Sequence, residues 1–109
     1  MAFDAILAIW HYFFMDAELV ISDKVVFDDG AIQEIVIWRV PHPVRPSVHV
    51  FKYRLFYGFP GQRLVGYDNE RGKGDHRHVH GKEKPYRFRG WAALLDDFLT
   101  DVAKLRGQQ

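Results

Sequence analysis

Apolar and polar residues alternate with a period of two along most of the first two thirds of the chain, which is the pattern of half-buried β-strands. The predicted strands cover residues 17–22, 24–28, 31–40, 47–58 and 62–67. Asp29-Gly30 and Pro60-Gly61 separate neighbouring runs and predict tight turns. We therefore expect a meander in which strands that follow one another in the sequence pair antiparallel.

The strand predicted over residues 47–58 has two unlike faces. One face is predicted to enter the core. It consists of His49, Phe51, Tyr53, Leu55 and Tyr57. The other face displays Lys52 and Arg54 in a row, because side chains two residues apart in a strand point the same way. A basic strip is therefore expected on the outside of the sheet.

A helix is predicted over residues 91–106, where apolar residues recur at intervals of four and three and form one amphipathic stripe. The stripe consists of Trp91, Leu95, Phe98, Val102 and Leu105. Asp96, Asp97 and Asp101 are expected on the outer face. The predicted fold is α+β, with a mainly antiparallel sheet of four to five strands over residues 17–67, covered by this C-terminal helix.

The first fourteen residues are strongly apolar, and two interpretations of them stay open. They contain Asp4 but no early Lys or Arg, no small-residue cleavage pattern follows, and they are too short to span a bilayer. One interpretation is a short N-terminal helix packed on the domain. The other is that translation starts at Met15, just before the first predicted strand, so that residues 1–14 are an artefact of the assigned start.

Length and composition narrow the class of protein. A chain of 109 residues is large enough for one hydrophobic core but not for two. The absence of cysteine excludes disulfides, thiolate nucleophiles and cysteine zinc sites, and it fits a cytoplasmic location. The net charge is only +1, but cations concentrate in residues 70–89 and carboxylates in the front half. This asymmetry predicts a basic face for a phosphate-bearing partner, with a dispersed, solvated charge as the alternative.

Residues 67–88 are the part of the chain that packing does not explain. Val79 is the only aliphatic side chain among ten charged residues and three histidines, and three glycines loosen the backbone. A long polar loop in a short chain is typical of a binding or catalytic segment. We therefore predict a functional loop over residues 67–88.

This segment holds the groups that metal-free RNA cleavage requires. RNA supplies its own nucleophile, the 2′-OH, so the protein must provide a base, an acid and cations that stabilise the phosphorane. The predicted proton-transfer residues are His76, His78 and Glu70. The predicted phosphate- and RNA-binding residues are Arg71, Lys73, Arg77, Tyr67, Tyr86, Lys52 and Arg54. The two tyrosines are expected to stack on bases, and no cofactor is expected.

Three other interpretations use the same residues. His76, His78 and His80 are spaced by two, so in an extended segment their imidazoles point the same way and suit a metal ion. The surrounding cations oppose this, and we expect no metal. A non-enzymatic module that only docks RNA or a protein partner is the main rival to catalysis. Nucleotidyl transfer is a weaker one, because the sequence lacks a paired-carboxylate metal motif.

Six short motifs follow one another along the chain. They are DDGA at 28–31, VIWRVP at 36–41, KYRL at 52–55, YDNERGKGDHRH at 67–78, PYRF at 85–88 and DDFLTDV in the terminal helix. In this order they resemble the TumE family, small toxins of bacterial type II toxin–antitoxin modules. The resemblance runs from about residue 17 to 106, and the motif at 67–78 is its most specific part. The apolar residues 1–14 depart from the family, whose members typically lack them, and so does His80-Gly81 after the HRH element.

The resemblance implies a cytoplasmic bacterial toxin whose partner is a small antitoxin of the TumA type, with a helix-turn-helix DNA-binding domain. Ribonuclease activity follows only by analogy with other toxins of this size. We expect an acidic antitoxin segment to lie across residues 67–88, since charge complementarity speeds capture. Residues 1–14 are a candidate for extending that interface or for a homodimer contact, and no contact with a membrane is expected.

Overall fold

A computed structural model describes residues 16–107 of the chain. Its elements are β1 (Glu18–Val26), β2 (Ile32–Arg39), β3 (Phe51–Phe59), β4 (Gln62–Glu70), β5 (Gly74–Val79), β6 (Lys82–Pro85) and α1 (Trp91–Leu105). The strands form one antiparallel sheet in the order β1-β2-β3-β4-β5-β6. The predicted α+β meander is confirmed, with six strands where four or five were expected.

The hydrophobic core lies between α1 and one face of the sheet. Its buried side chains include Ile35, Ile37, Tyr53, Leu55, Tyr57, Val65, Leu94, Phe98 and Val102. Phe98 is fully buried, and its ring meets that of Tyr67 edge-on at 6.1 Å. Burial of a side chain of this size stabilises the fold by roughly 1.5–3 kcal/mol. The core face predicted for β3 is confirmed at Tyr53, Leu55 and Tyr57.

The buried stripe of α1 differs from the predicted one. Trp91 and Leu105, at the two ends of the predicted stripe, are 36% and 38% exposed. Asp101, expected on the outer face, is only 8% exposed. A carboxylate is tolerated there because Arg77 and Tyr67 of the sheet bond to it directly. Apolar spacing could not reveal a buried position whose partners come from another element.

The functional loop predicted over residues 67–88 is mostly strand. β4 continues to Glu70, and β5 and β6 add a further hairpin to the sheet. Gly72 and Gly81, with φ of 87° and 73°, supply the left-handed backbone of the two tight turns. The strands escaped prediction because both of their faces carry polar side chains, so no apolar–polar period marks them.

The apolar segment at residues 1–14 lies outside the described residues, and so do both interpretations of it. The first described strand begins shortly after that segment, at Glu18. Within residues 16–107, no helix combines the length and the apolar character that crossing a bilayer requires.

Candidate functional site

The face of the sheet that points away from α1 is covered by no described element, and we call it the open face. Paired residues of antiparallel strands share a face. Arg54 of β3 pairs with Asp68 of β4, and Asp68 pairs with His76 of β5. His78 lies two residues further along β5, about 7 Å away along the strand. A cation, a carboxylate and two imidazoles are therefore neighbours on the open face.

The two imidazoles have different surroundings. Nδ1 of His76 lies 3.1 Å from the carbonyl oxygen of Gly74. A carbonyl can only accept, so in the neutral ring Nδ1 carries the proton and Nε2 keeps a free lone pair. Nδ1 of His78 is buried and has no hydrogen-bond partner among the described residues. Glu83 of β6 is paired directly opposite His78. His76 is thus oriented as a proton acceptor, whereas His78 stands beside a carboxylate.

Charges of both signs lie close together around these histidines. Burial and the negative charge of Glu70 raise the pKa of Asp68, while Arg63 and Lys52 act in the opposite direction. Burial lowers the pKa of Lys52, whose Nζ donates a hydrogen bond to the carbonyl oxygen of Asn69. The carboxylates and cations of the open face therefore influence one another without closing into a tight ion pair.

Arg54 is the most accessible cation in the row that contains His76. Its side chain is 57% exposed, and its Nη1 lies 3.8 Å from a carboxylate oxygen of Glu34. An exposed ion pair at that distance is worth little, so Arg54 can turn toward a ligand at small cost. Its guanidinium also lies 5.4 Å from the ring centre of Phe56, which lies on the open face two residues further along β3.

The turn between β4 and β5 carries Arg71 and Lys73, both exposed. Nζ of Lys73 lies 3.9 Å from a carboxylate oxygen of Glu70. The backbone N–H of Gly72 donates to the carbonyl oxygen of Arg45 at 2.9 Å, so the proline-containing loop before β3 holds this turn. The two cations are thus fixed at one end of the β4–β5 hairpin.

Three further predicted site residues lie on the other side of the sheet, and all three form hydrogen bonds with α1. Nε of Arg77 donates to the Tyr67 hydroxyl at 2.8 Å, and its Nη2 donates to Asp101 at 2.9 Å. The Tyr67 hydroxyl donates to Asp101 as well. Burial raises the pKa of Tyr67, and the hydrogen bond to Asp101 raises that of Arg77. Tyr67 is 2% exposed, so its ring has no face free to stack on a base.

Tyr86 is the third of these residues, and it lies just after β6. Its hydroxyl donates to Asp97 of α1, which Arg89 also contacts. Burial, followed by the hydrogen bond to Asp97, raises the pKa of Tyr86 to about 12. The ring meets that of Tyr67 edge-on at 5.0 Å. Tyr86 therefore connects the end of the sheet to α1 and remains half-exposed.

A polar cluster that was not predicted lies at the end of β5. Asp75 accepts hydrogen bonds from His49 Nε2 at 2.6 Å, from the Tyr53 hydroxyl at 2.6 Å and from the Ser47 hydroxyl. Burial alone would raise the pKa of Asp75, but these hydrogen bonds outweigh it and the pKa is lowered. Ser47 and His49 bind the same carboxylate instead of each other, so the cluster is not a nucleophilic triad.

The structure divides the predicted site residues into three groups. The open face carries Lys52, Arg54, Glu70, His76 and His78, the turn carries Arg71 and Lys73, and the helix side carries Tyr67, Arg77 and Tyr86. Sequence analysis missed Asp68, Arg63 and Glu83, which border the histidines. Their signal lies in the register: once the turn is placed at residues 71–73, alternation puts Asp68 beside His76.

The histidine triplet does not keep the geometry that a metal site needs. His80 has left β5 and occupies the following turn with a φ of 55°, so its backbone no longer continues the alternation of His76 and His78. Within residues 16–107, no group of three or more His, Cys, Asp or Glu side chains is placed to hold a metal ion.

Comparison with known proteins gives one match. A family model described as Toxin TumE matches residues 11–106, which is most of the chain. Searches of curated proteins and of solved structures found no match.

Proposed function

We propose that this chain, which belongs to the TumE toxin family, is a metal-independent endoribonuclease that acts on RNA with the open face of its sheet. The observation that supports the proposal is the pair His76 and His78 on one face of β5, beside Asp68 and near cations of β3 and β4. The family is one of toxins, and a toxin of this kind has an antitoxin partner.

The proposed reaction uses one histidine as base and the other as acid. Nε2 of His76 takes the proton of the 2′-OH, and the 2′-oxygen attacks the neighbouring phosphorus. The P–O5′ bond breaks as the new O2′–P bond forms, and His78 gives its proton to the departing 5′-oxygen. The products are a 2′,3′-cyclic phosphate and a 5′-OH end. Exchange of protons with water restores both imidazoles.

Cations around the two histidines supply electrostatic stabilisation in the proposal. Lys52 and Arg54 face the same side as His76, and Arg71 and Lys73 extend the positive surface along the hairpin turn. Charge that develops on the phosphorane is stabilised by such groups more than the ground state is. Glu70, at the end of β4, orients these cations or serves as an alternative base.

A base of the RNA needs an aromatic platform, and Phe56 is better placed for this than the two tyrosines. Tyr67 is buried, and Tyr86 lies on the helix side of the sheet. Phe56 lies in the open-face row of Gly66 and His78 and is partly exposed. We therefore assign the stacking role to Phe56, where one stacked base is worth roughly 1–3 kcal/mol.

Incubation of purified protein with 5′-labelled RNA in EDTA tests the proposal. We expect fragments that end in 2′,3′-cyclic phosphate, and a loss of rate of about 10²–10⁴-fold in His76→Ala and in His78→Ala. His42→Asn is the matched control, because His42 is exposed in the loop between β2 and β3, outside the hairpin that carries the site. Full activity, or full toxicity in a growth assay, in both alanine variants at unchanged protein level would remove these histidines from the mechanism.

A non-enzymatic docking module is the second candidate. It is favoured by Lys52, whose Nζ already donates to the carbonyl oxygen of Asn69, so that this cation is not wholly available to a transition state. The same incubation separates the two functions. Binding of RNA without any cyclic-phosphate product would establish docking and exclude cleavage.

We further propose that the antitoxin is of the TumA type, with a helix-turn-helix DNA-binding domain, that both proteins act in the cytoplasm, and that an acidic antitoxin segment covers residues 67–88. Arg71→Glu/Lys73→Glu tests this contact in a co-expression pull-down. Arg77 is left intact because Asp101 depends on it. Undiminished binding by the charge-reversed variant would place neutralisation elsewhere on the surface. Sedimentation of the toxin alone tests the proposed homodimer.

A further inference from the structure

A cleft of about 430 Å³ lies between α1 and the β5–β6 hairpin, on the side of the sheet that faces away from His76 and His78. Its charged and titratable lining consists of Arg77, His80, Lys82, Lys84, Asp101 and Lys104. The catalytic proposal uses none of them. The cleft is therefore a second surface of the same hairpin that needs its own explanation.

The cleft has an excess of positive charge. Asp101 is the single carboxylate that the described residues contribute to it, and Arg77 and Tyr67 already bind this carboxylate. Lys82, Lys84 and Lys104 are exposed, and none of the three forms an ion pair with any described residue. Three like charges that converge on one cleft repel one another, and an anionic ligand would relieve that repulsion.

The three lysines reach the cleft from opposite walls. Lys82 pairs with Val79 and Lys84 pairs with Arg77, so both point to the helix side of β6, about 7 Å apart along the strand. Lysines on an edge strand also hinder its pairing with another sheet, and this role would explain Lys82 and Lys84. It does not account for Lys104, which lies in the last turn of α1 and enters the same cleft.

We propose that this cleft binds the sugar–phosphate backbone of single-stranded RNA next to the stretch that is cut. The inference rests on the proposed function. β5 separates the two surfaces, with His76 and His78 on one side and Arg77 on the other. β6 has only four residues, so a flexible single-stranded RNA can pass around this short edge of the sheet from one face to the other. Lysine is a point charge that contacts phosphate without distinguishing bases.

An acidic protein segment is the competing occupant, and the lining favours RNA. Interfaces between proteins are built around apolar and aromatic anchors. Among residues 16–107, Val79 and Leu105 are the only apolar side chains that line this cleft, and none of the lining residues is aromatic. A site made mainly of lysines suits a ligand that offers charge and little apolar surface.

The test uses the full chain and an RNA that cannot be cut. A labelled, unstructured 2′-O-methyl oligonucleotide lacks the nucleophilic hydroxyl, so its binding is measured independently of cleavage. Fluorescence anisotropy, measured at salt concentrations from about 50 to about 200 mM, gives the affinity for the oligonucleotide and its salt dependence, because phosphate contacts weaken strongly over this range. The variants are Lys82→Gln/Lys84→Gln/Lys104→Gln and its Lys→Arg counterpart. The control replaces two exposed cations that lie on neither surface, Arg39 and Arg45, with Gln.

We expect the glutamine triple variant to bind at least about tenfold more weakly and its log–log salt slope to fall by about 2, since each lost phosphate contact on a single strand removes about 0.7. The arginine triple should bind like the original chain, and the control should change little. Equal affinity and slope in the glutamine variant would overturn the inference.

Failure of this inference is distinguishable from failure of the proposed function. If the original chain cuts unmodified RNA and the glutamine variant binds the uncut probe normally, the cleft assignment is wrong and cleavage stands. If the original chain never cuts but the variant loses binding, the cleft assignment stands and the ribonuclease function fails. If antitoxin binding is lost while RNA binding is unchanged, the cleft takes the acidic protein segment and the inference is overturned.

Discussion

The two faces of the β4–β5 hairpin carry similar polar side chains, but these side chains have different hydrogen-bonding surroundings. On the helix-covered face, Asp75 accepts three side-chain hydrogen bonds and Arg77 donates to both Tyr67 and Asp101. On the open face, Asp68 has no hydrogen-bond partner among the described residues, although it is half-buried. The polar groups of the helix-covered face are explained by folding, because they form hydrogen bonds with protein partners where water is excluded.

The pKa values of the two aspartates move in opposite directions. That of Asp75 is lowered because hydrogen bonds to the charged form outweigh burial. That of Asp68 is raised because burial and Glu70 both disfavour the charge. A carboxylate that costs stability and sits beside His76 is expected where local structure serves a ligand or a reaction. Stability therefore explains the polar groups of the helix-covered face, whereas the open face is the one for which we propose a function, and four substitutions test this contrast.

The largest effect on stability is expected at Phe98, which is fully buried between α1 and the sheet. Phe98→Ala should lower the free energy of unfolding by about 3–5 kcal/mol, since it removes the ring and leaves a cavity. Phe56→Ala, its matched control on the open face, should lower it by less than half as much and weaken RNA binding instead. Urea unfolding measures both. A similar loss of stability in both variants would show that the open face is also core.

The sheet and the helix were predictable where apolar periodicity marks them. Tyr53, Leu55 and Tyr57 lie on the face of β3 opposite to Lys52 and Arg54, and this signal gave the correct core face. β5 and β6 gave no such signal, because their helix side carries Asp75 and Arg77 and their other side His76 and His78. A strand with two polar faces cannot be recognised by period. Its turn glycines were visible, but they suited a loop equally well.

The second effect concerns the polar connection between the sheet and α1. Asp101→Ala should destabilise the fold by about 2–4 kcal/mol, because it leaves Arg77 without its charged partner. The loss should be smaller than for a fully buried ion pair, since Arg77 is partly exposed. Asp96→Ala, on the exposed side of the same helix, should change stability by less than about 0.5 kcal/mol. Equal melting temperatures for the two variants would contradict the docking role of Asp101.

The candidate site was predictable in its residue types but not in its arrangement. His76 and His78 share a face because they are spaced by two, which the sequence shows directly. That Tyr67 and Arg77 turn away to bind Asp101 could not be foreseen, since the partner lies 34 and 24 residues further along the chain. The position of Asp68 beside His76 could not be predicted either, because it depends on strand register, which no local sequence pattern specifies.

The third effect is a loss of stability in acid that originates at Asp75. Its folded pKa lies below its ordinary value near 3.8, so the stability it contributes is complete above that value and is lost as the pH falls through the folded pKa. Asp75→Asn should be less stable by about 1–3 kcal/mol at pH 7. The difference from the original chain should shrink as the pH is lowered. Chemical denaturation across a pH series checks this, and a difference that stays constant down to the lowest pH would contradict it.

The smallest effect is expected at Asp68, with the opposite sign. Its folded pKa lies above 3.8, so the folded state binds the proton more tightly than the unfolded state and stability falls as the pH rises between the two values. Asp68→Asn should therefore gain stability at pH 7, by less than about 1 kcal/mol, and should match the original chain below pH values near 3.8. A loss of stability at pH 7 would show that Asp68 serves the fold as Asp75 does, and the contrast between the two faces would no longer hold.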